Sequence, residues 1–286
     1  MVTYNSKNWL TFIFHSYSRE IMKRLLPAML LMSVYTGLIT FIFHFFEIDF
    51  MSTTAVHSIL GIVLGFFLVF RTNTSYDRWW EGRKVWGQMV NSCRNLSLKL
   101  SAMVPTSHPL HNQLEYLIVN YPKALKEHLR NGLPDDHTKD LHTALNIQGS
   151  IHYPNSIARE LFRLINVLKK NNVIDAEQYR VLDNQLTSLT DITGVCERIK
   201  NTPIPYSYIM FMKKFILAFM MTLPFAFVTH FGYWTIGITI LLLYILLSIE
   251  LLAEEIEDPF GTDLNDLPTD NLAIKIKANV EEILSK

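Results

Sequence analysis

Apolar residues concentrate in two zones of the chain, about 25–70 and 215–253, and the pattern in each predicts a pair of membrane-spanning helices. Pro27–Phe46 contains no Asp, Glu, Lys or Arg. At the helical rise of about 1.5 Å per residue it reaches about 30 Å, the thickness of a bilayer core. Pro27 suits a first helical turn, where its missing N–H costs nothing. Thr53–Phe70 predicts a second span. Met212–Thr229 predicts a third, kinked at Pro224, and the Leu- and Ile-rich Trp234–Ala253 a fourth. Between the zones, Val85–Met103 and Leu110–Arg130 repeat apolar residues at helical spacing with polar faces between them. Ser156–Asn171 and Ala176–Lys200 read as further helices, the latter capped by Asp175 and stopped by Thr202-Pro203. Pro105, Pro109, Gly132-Leu133-Pro134 and Pro154 punctuate this stretch, and no strand alternation interrupts it.

The fold expected is an all-α membrane protein. It has an arm over 1–26, transmembrane helices 1–2 over 27–70 and a helical domain over 71–211. Transmembrane helices 3–4 follow over 212–253, then an acidic loop and a C-terminal helix over 254–286. The basic residues set its orientation. Lys and Arg are absent from 25–70 and from 215–274, so all of them fall in the arm, the central segment and the tail. By the positive-inside rule both termini and the centre are cytoplasmic, which in a bacterial cell means the inner membrane.

Composition narrows the function classes. The 26 basic and 26 acidic residues balance, leaving no basic footprint for nucleic acid. The 2 cysteines, Cys93 and Cys196, are far apart and form no CxxC pair. No nucleotide-binding glycine pattern, HExxH or GxSxG occurs. The 10 histidines show no ligand spacing; His108 and His111 flank Pro109 in an expected solvated turn. Nothing supports an enzyme.

Two features carry chemistry. In GIVLGFFLVFRTNTSYDRWWEGR (61–83), Ile62, Phe66 and Phe70 repeat every four residues and share a helix face. Gly61 and Gly65 lie on the adjacent strip, where another helix can approach. No turn residue follows, so one helix runs from hydrocarbon into water, carrying Arg71, Asp77 and Arg78 as vestibule charges. Trp79 and Trp80 would anchor the interface. In ELLAEEIEDPFGTDLNDLP (250–268), Glu255, Asp258, Asp263 and Asp266 surround a Pro-Phe-Gly turn, a carboxylate set that can coordinate a hard cation. A solvated acidic loop explains the same residues.

GFFLVFRTNTSYDRWWEGRKVWG, CERIKNTPIPYSY and EIEDPFGTDLNDLP together resemble the bacterial and plant-chloroplast branch of the bestrophin family, in order and spacing, over most of the chain. The resemblance implies a homopentameric ion channel in the lipid bilayer, with four membrane helices per subunit, a cytoplasmic helical domain and one axial pore. It implies that Ile62, Phe66 and Phe70 line the neck and that a second, cytosolic constriction falls near Arg180. It also implies a calcium clasp at Asp258-Pro259-Phe260-Gly261 and the following run, where Thr262, Leu264 and Asn265 stand in place of acids found in animal members.

The expected function is therefore a passive channel for small monovalent ions with a hydrophobic neck, its charge selectivity, chloride or sodium, left open. No cofactor other than calcium is implied. A secondary transporter and a membrane-tethered scaffold without a pore are the rival classes.

Overall fold

The computed structural model describes residues 16–48, 54–130 and 152–285. Most of the expected arm, most of the 47–54 loop and the Gly132-Leu133-Pro134 break lie outside them. Among the described residues there are helices and no strands. In chain order they are α1 (Ser16–Phe45), α2 (Thr54–Met103), α3 (His111–Arg130), α4 (Tyr153–Lys170), α5 (Ala176–Asn201), α6 (Tyr206–Phe231), α7 (Trp234–Glu257) and α8 (Thr269–Leu284). The second span and the Val85–Met103 helix are one 50-residue element, because no proline interrupts 54–103 and Pro105 follows its end. Pro27 and Pro224 lie inside helices that continue past them.

The chain divides into two compact units, Val2–Arg78 with Pro203–Glu257, and Trp79–Thr202 with Asp258–Lys286. These limits differ slightly from 71 and 211, the bounds that charge suggests. The reason is that the partners of Arg71 and Arg78 lie on α7.

In the first unit, α1 packs on α6 and α7, and α6 on α7. Among the described residues of the whole chain, four helical stretches are long and apolar enough to cross a membrane. Met32, Leu64, Leu68, Met212, Ile216, Phe219, Met220, Leu223 and Leu243 form its core. Small residues allow close approach, as is usual between membrane helices. Gly37 leaves the Ile236 methyl 3.8 Å from where a Cβ would stand, and Thr36, Thr40, Thr235 and Thr239 are buried. Leu31, Val34, Leu38, Phe45, Leu217 and Trp234 remain more than half exposed. That apolar surface is far larger than a water-soluble monomer shows.

Arg71 is the polar centre of this unit. Its guanidinium is 1% exposed and donates to the Ser75 hydroxyl at 2.6 Å and to Glu257 Oε2 at 2.7 Å. Glu250 Oε2 lies 3.8 Å from Nε, and both Glu250 oxygens are buried with no hydrogen-bond partner. Glu257 also accepts the Ile204 amide through Oε1 at 3.0 Å, while Arg78 Nε donates to its carbonyl at 3.0 Å.

In the second unit, α3 packs against α4 and α8, and α4 against α5. Trp86, Met89, Cys93, Leu96 and Leu100 form the buried stripe of α2 at helical spacing. It shares a core with Leu117, Ile118 and Leu125 of α3, Leu161 and Leu168 of α4, Leu182 and Leu189 of α5, and Val280 of α8. Asp175 caps α5 as expected and completes a capping box: it accepts the Gln178 amide at 2.7 Å, and Gln178 returns the bond to the Asp175 amide at 2.9 Å. Tyr121 is fully buried, and its hydroxyl donates to the Leu189 carbonyl at 3.1 Å and meets the Thr193 hydroxyl at 2.8 Å. Burial pushes that phenol well above its ordinary pKa.

Two outcomes follow for stability. Tyr121→Phe keeps the ring but removes the hydroxyl's two hydrogen bonds while Thr193 still donates to the Leu189 carbonyl, and should cost about 1 kcal/mol in a denaturation series. Arg71→Met strands the buried Glu250 carboxylate and the half-buried Glu257 carboxylate and should cost about 3–5 kcal/mol. Adding Glu250→Gln and Glu257→Gln should recover part of that loss, whereas an unchanged melting temperature in Arg71→Met would show that the cluster contributes nothing.

Candidate functional site: the face of α2 and the acidic turn

The burial of α2 has a sharp polarity within the first unit. Leu64, Leu68, Arg71 and Ser75 are buried, a row spaced at three and four residues. Ile62, Phe66 and Phe70 point away from that row and are 61%, 62% and 62% exposed. Gly61 receives the Phe219 ring, 3.5 Å from where its Cβ would be, while nothing lies within 4 Å of that point at Gly65. Gly61 thus packs on α6, Leu64 and Leu68 join the core of the unit, and the three-residue apolar face is left uncovered by the described residues of that unit.

The expected vestibule charges separate. Asp77 is exposed. Arg78 is half-buried and holds the end of α7 through the Glu257 carbonyl. Arg71 is a correction: it does not face water but is buried against two carboxylates. Glu250 is likewise internal, 4% exposed. Arg180 is exposed on α5, its guanidinium 3.3 Å from the equally exposed Glu177.

The acidic residues also part company. Glu255 belongs to α7 in the first unit, where its carboxylate lies 3.8 Å from the Arg24 guanidinium. Asp258, Asp263 and Asp266 belong to the second unit. Phe260 is buried in that unit's core and fixes the turn. The Leu267 amide donates to the Pro259 carbonyl at 2.9 Å, and the Trp79 indole to the Asn265 carbonyl at 2.9 Å. Gly82 lets the turn pack closely, since a Cβ there would stand 3.2 Å from each of Leu267, Phe260 and Pro259. Asp258 and Asp263 are exposed, while Asp266 is buried and its Oδ2 accepts the Asp263 amide at 2.6 Å. A Cβ at Gly261 would meet that oxygen at 2.6 Å.

A cavity beside the turn is lined by Gly261, Asp263, Asp266 and Asp270, and also by Arg130. Arg130 donates to the Phe260 carbonyl at 3.3 Å, to Thr269 at 3.0 Å and to Asp270 at 2.9 Å; Lys126 reaches Asp270 at 2.7 Å. Burial alone would raise the Asp270 carboxyl, but those two cations outweigh it and hold it below the usual carboxylate range. The turn therefore has carboxylate oxygens suited to a hard cation, but basic groups already balance part of their charge.

The histidines require a second correction. The sequence shows no ligand spacing, yet the fold assembles His128, His152 and Glu197 from α3, the cap of α4 and α5. Each His Nε2 lies 2.7 Å from Glu197 Oε1, and the two rings stand 4.2 Å apart. Separations of 24 and 45 residues hide such a group from any local pattern. His111 is also not solvated: it is 4% exposed, with Nε2 2.9 Å from the Leu284 carbonyl.

Comparisons with known proteins agree with one another. The voltage-dependent anion channel-forming protein of Mesorhizobium japonicum is 30% identical over 93% of this chain and 87% of its own length. The protein of that name from a Nostoc species is 34% identical over 79% and 76%. A crystal structure of a variant bacterial bestrophin homolog from Klebsiella pneumoniae superposes with a TM-score of 0.81 at 31% identity, covering 91% of this chain and 99% of that one. The profile of the family described as Bacterial/Fungal Bestrophin protein matches residues 1–282. This chain, whose described residues hold helices and no strands and include four apolar spans, is matched by that profile over nearly its whole length and belongs to the bacterial and fungal bestrophin family.

Proposed function

We propose that this chain assembles as a homopentamer in the inner membrane and conducts small monovalent ions passively through one axial pore. The carrying observation is the face of α2. Its own unit leaves Ile62, Phe66 and Phe70 more than 60% exposed while burying the opposite row. In a ring of subunits, such a face supplies stacked apolar rings, a constriction that gates by dewetting. The family relatives are named as anion channel-forming proteins, which favours anions as the permeant class. The neck itself is indifferent to charge sign, so any selectivity comes from groups flanking it, such as the exposed Asp77. The basic-residue pattern supports cytoplasmic termini and a cytoplasmic 71–211 segment. Arg180, exposed near the start of α5, is the proposed second, cytosolic constriction. This reading assigns the chain no catalytic role.

The purified protein in liposomes should give currents that follow the ion gradient, with reversal potentials shifted toward chloride in bi-ionic chloride and sodium gradients. A well-folded oligomer without conductance would overturn the channel reading. Native mass spectrometry should give five chains. Ile62→Ala, Phe66→Ala or Phe70→Ala should each raise open probability, because a smaller ring holds water more readily; unchanged currents in all three would move the gate elsewhere. If calcium acts through the acidic turn, its effect on the currents should vanish in Asp258→Ala and Asp266→Ala. Currents indifferent to calcium in the parent protein would leave the turn a purely structural element, held by Arg130 and Lys126.

A further inference from the structure

We propose that His128, His152 and Glu197 form a binding site for a divalent transition metal, with Zn2+ the best-fitting ion. Two imidazole nitrogens and one carboxylate oxygen are the donor set of three-ligand zinc sites that keep a fourth position for water. All three ligand atoms lie within 4.8 Å of one another, and each side chain is 24–30% exposed, open enough for an ion to enter. Tetrahedral coordination with bonds of about 2.0–2.1 Å separates ligand atoms by about 3.3 Å. The two 2.7 Å contacts to Glu197 therefore open by a few tenths of an ångström, a shift that small side-chain rotations supply.

The surroundings favour positive charge. His128 lies in the last turn of α3, and Glu197 lies near the end of α5. The carbonyl ends of both helices thus add negative partial charge to the carboxylate. One oxygen now spans two imidazoles, so the ligands are already gathered from three elements before any ion arrives.

One contact opposes binding and must be given up. His152 Nδ1 accepts the Asn155 amide at 3.2 Å, capping α4. A neutral imidazole ligating through Nε2 carries its proton on Nδ1, so coordination moves the His152 proton from Nε2 to Nδ1 and releases that amide. The bond is long, and Pro154 at the start of α4 already removes one N–H that would need a partner. His128 shifts its proton in the same way. Each of these shifts only relocates a proton within its ring and releases none.

The test is calorimetric titration of the full chain in detergent, stripped with chelator, using ZnCl2 with CaCl2 as control. The expected result is about one zinc per chain bound at micromolar or lower concentration, with calcium bound elsewhere or not at all. Co2+ at the same site should give the intense visible absorption of a tetrahedral centre. His152→Asn removes the ligand but keeps a good helix cap, so its fold is retained while zinc binding should be lost. Glu197→Gln should weaken it at least tenfold. Zinc bound only at millimolar concentration, or equally by His152→Asn and the parent, would overturn the site and leave a hydrogen-bonded trio. Zinc binding is measured independently of conductance, so neither result depends on the channel reading.

Discussion

Arg71 sets the rotation of α2 and with it everything the apolar part of that helix presents outward. A guanidinium only 1% exposed cannot be left without counter-ions, and within its unit Glu257 and Glu250 are the carboxylates that approach it. Because both sit on α7, the pairing fixes one face of α2 inward, in line with Leu64 and Leu68. The face carrying Ile62, Phe66 and Phe70 is then turned out by helix geometry alone. A rotation of one residue would place Phe70 or Thr72 where Arg71 now meets its partners, leaving a charge unpaired in an apolar setting.

The acidic turn is braced by contacts from its own unit. Phe260 is committed to the core, Gly82 clears space for the turn, and Trp79 and the amides of 263 and 267 bind its oxygens. Arg130 and Lys126 then neutralise Asp270. Asp270 is thus balanced by protein cations, and the loop's shape is held through packing and hydrogen bonds made by the chain itself.

Several elements were readable residue by residue. The four apolar spans, the Asp175 cap and the shared face of Ile62, Phe66 and Phe70 each depend on periodicity or on neighbours a few positions away, which a linear pattern records. The roles of Arg71 and Glu250 were not. Both belong to polar blocks next to apolar spans, and in sequence such residues look solvated; their mutual burial depends on α2 and α7 meeting across more than a hundred residues of chain. The same holds for His111, docked on the last turn of α8, and for the His128, His152 and Glu197 group.

By itself the sequence determined the helical character, the number of apolar spans, where along the chain the basic residues gather, and which residues share one face of α2. These are consequences of local periodicity and of the cost of placing charge in hydrocarbon. Only the tertiary structure decided which charges are internal, how the acidic turn is braced, and that two histidines and a glutamate converge. Those outcomes come from contacts between helices remote in sequence, whose partners no spacing along the chain can name.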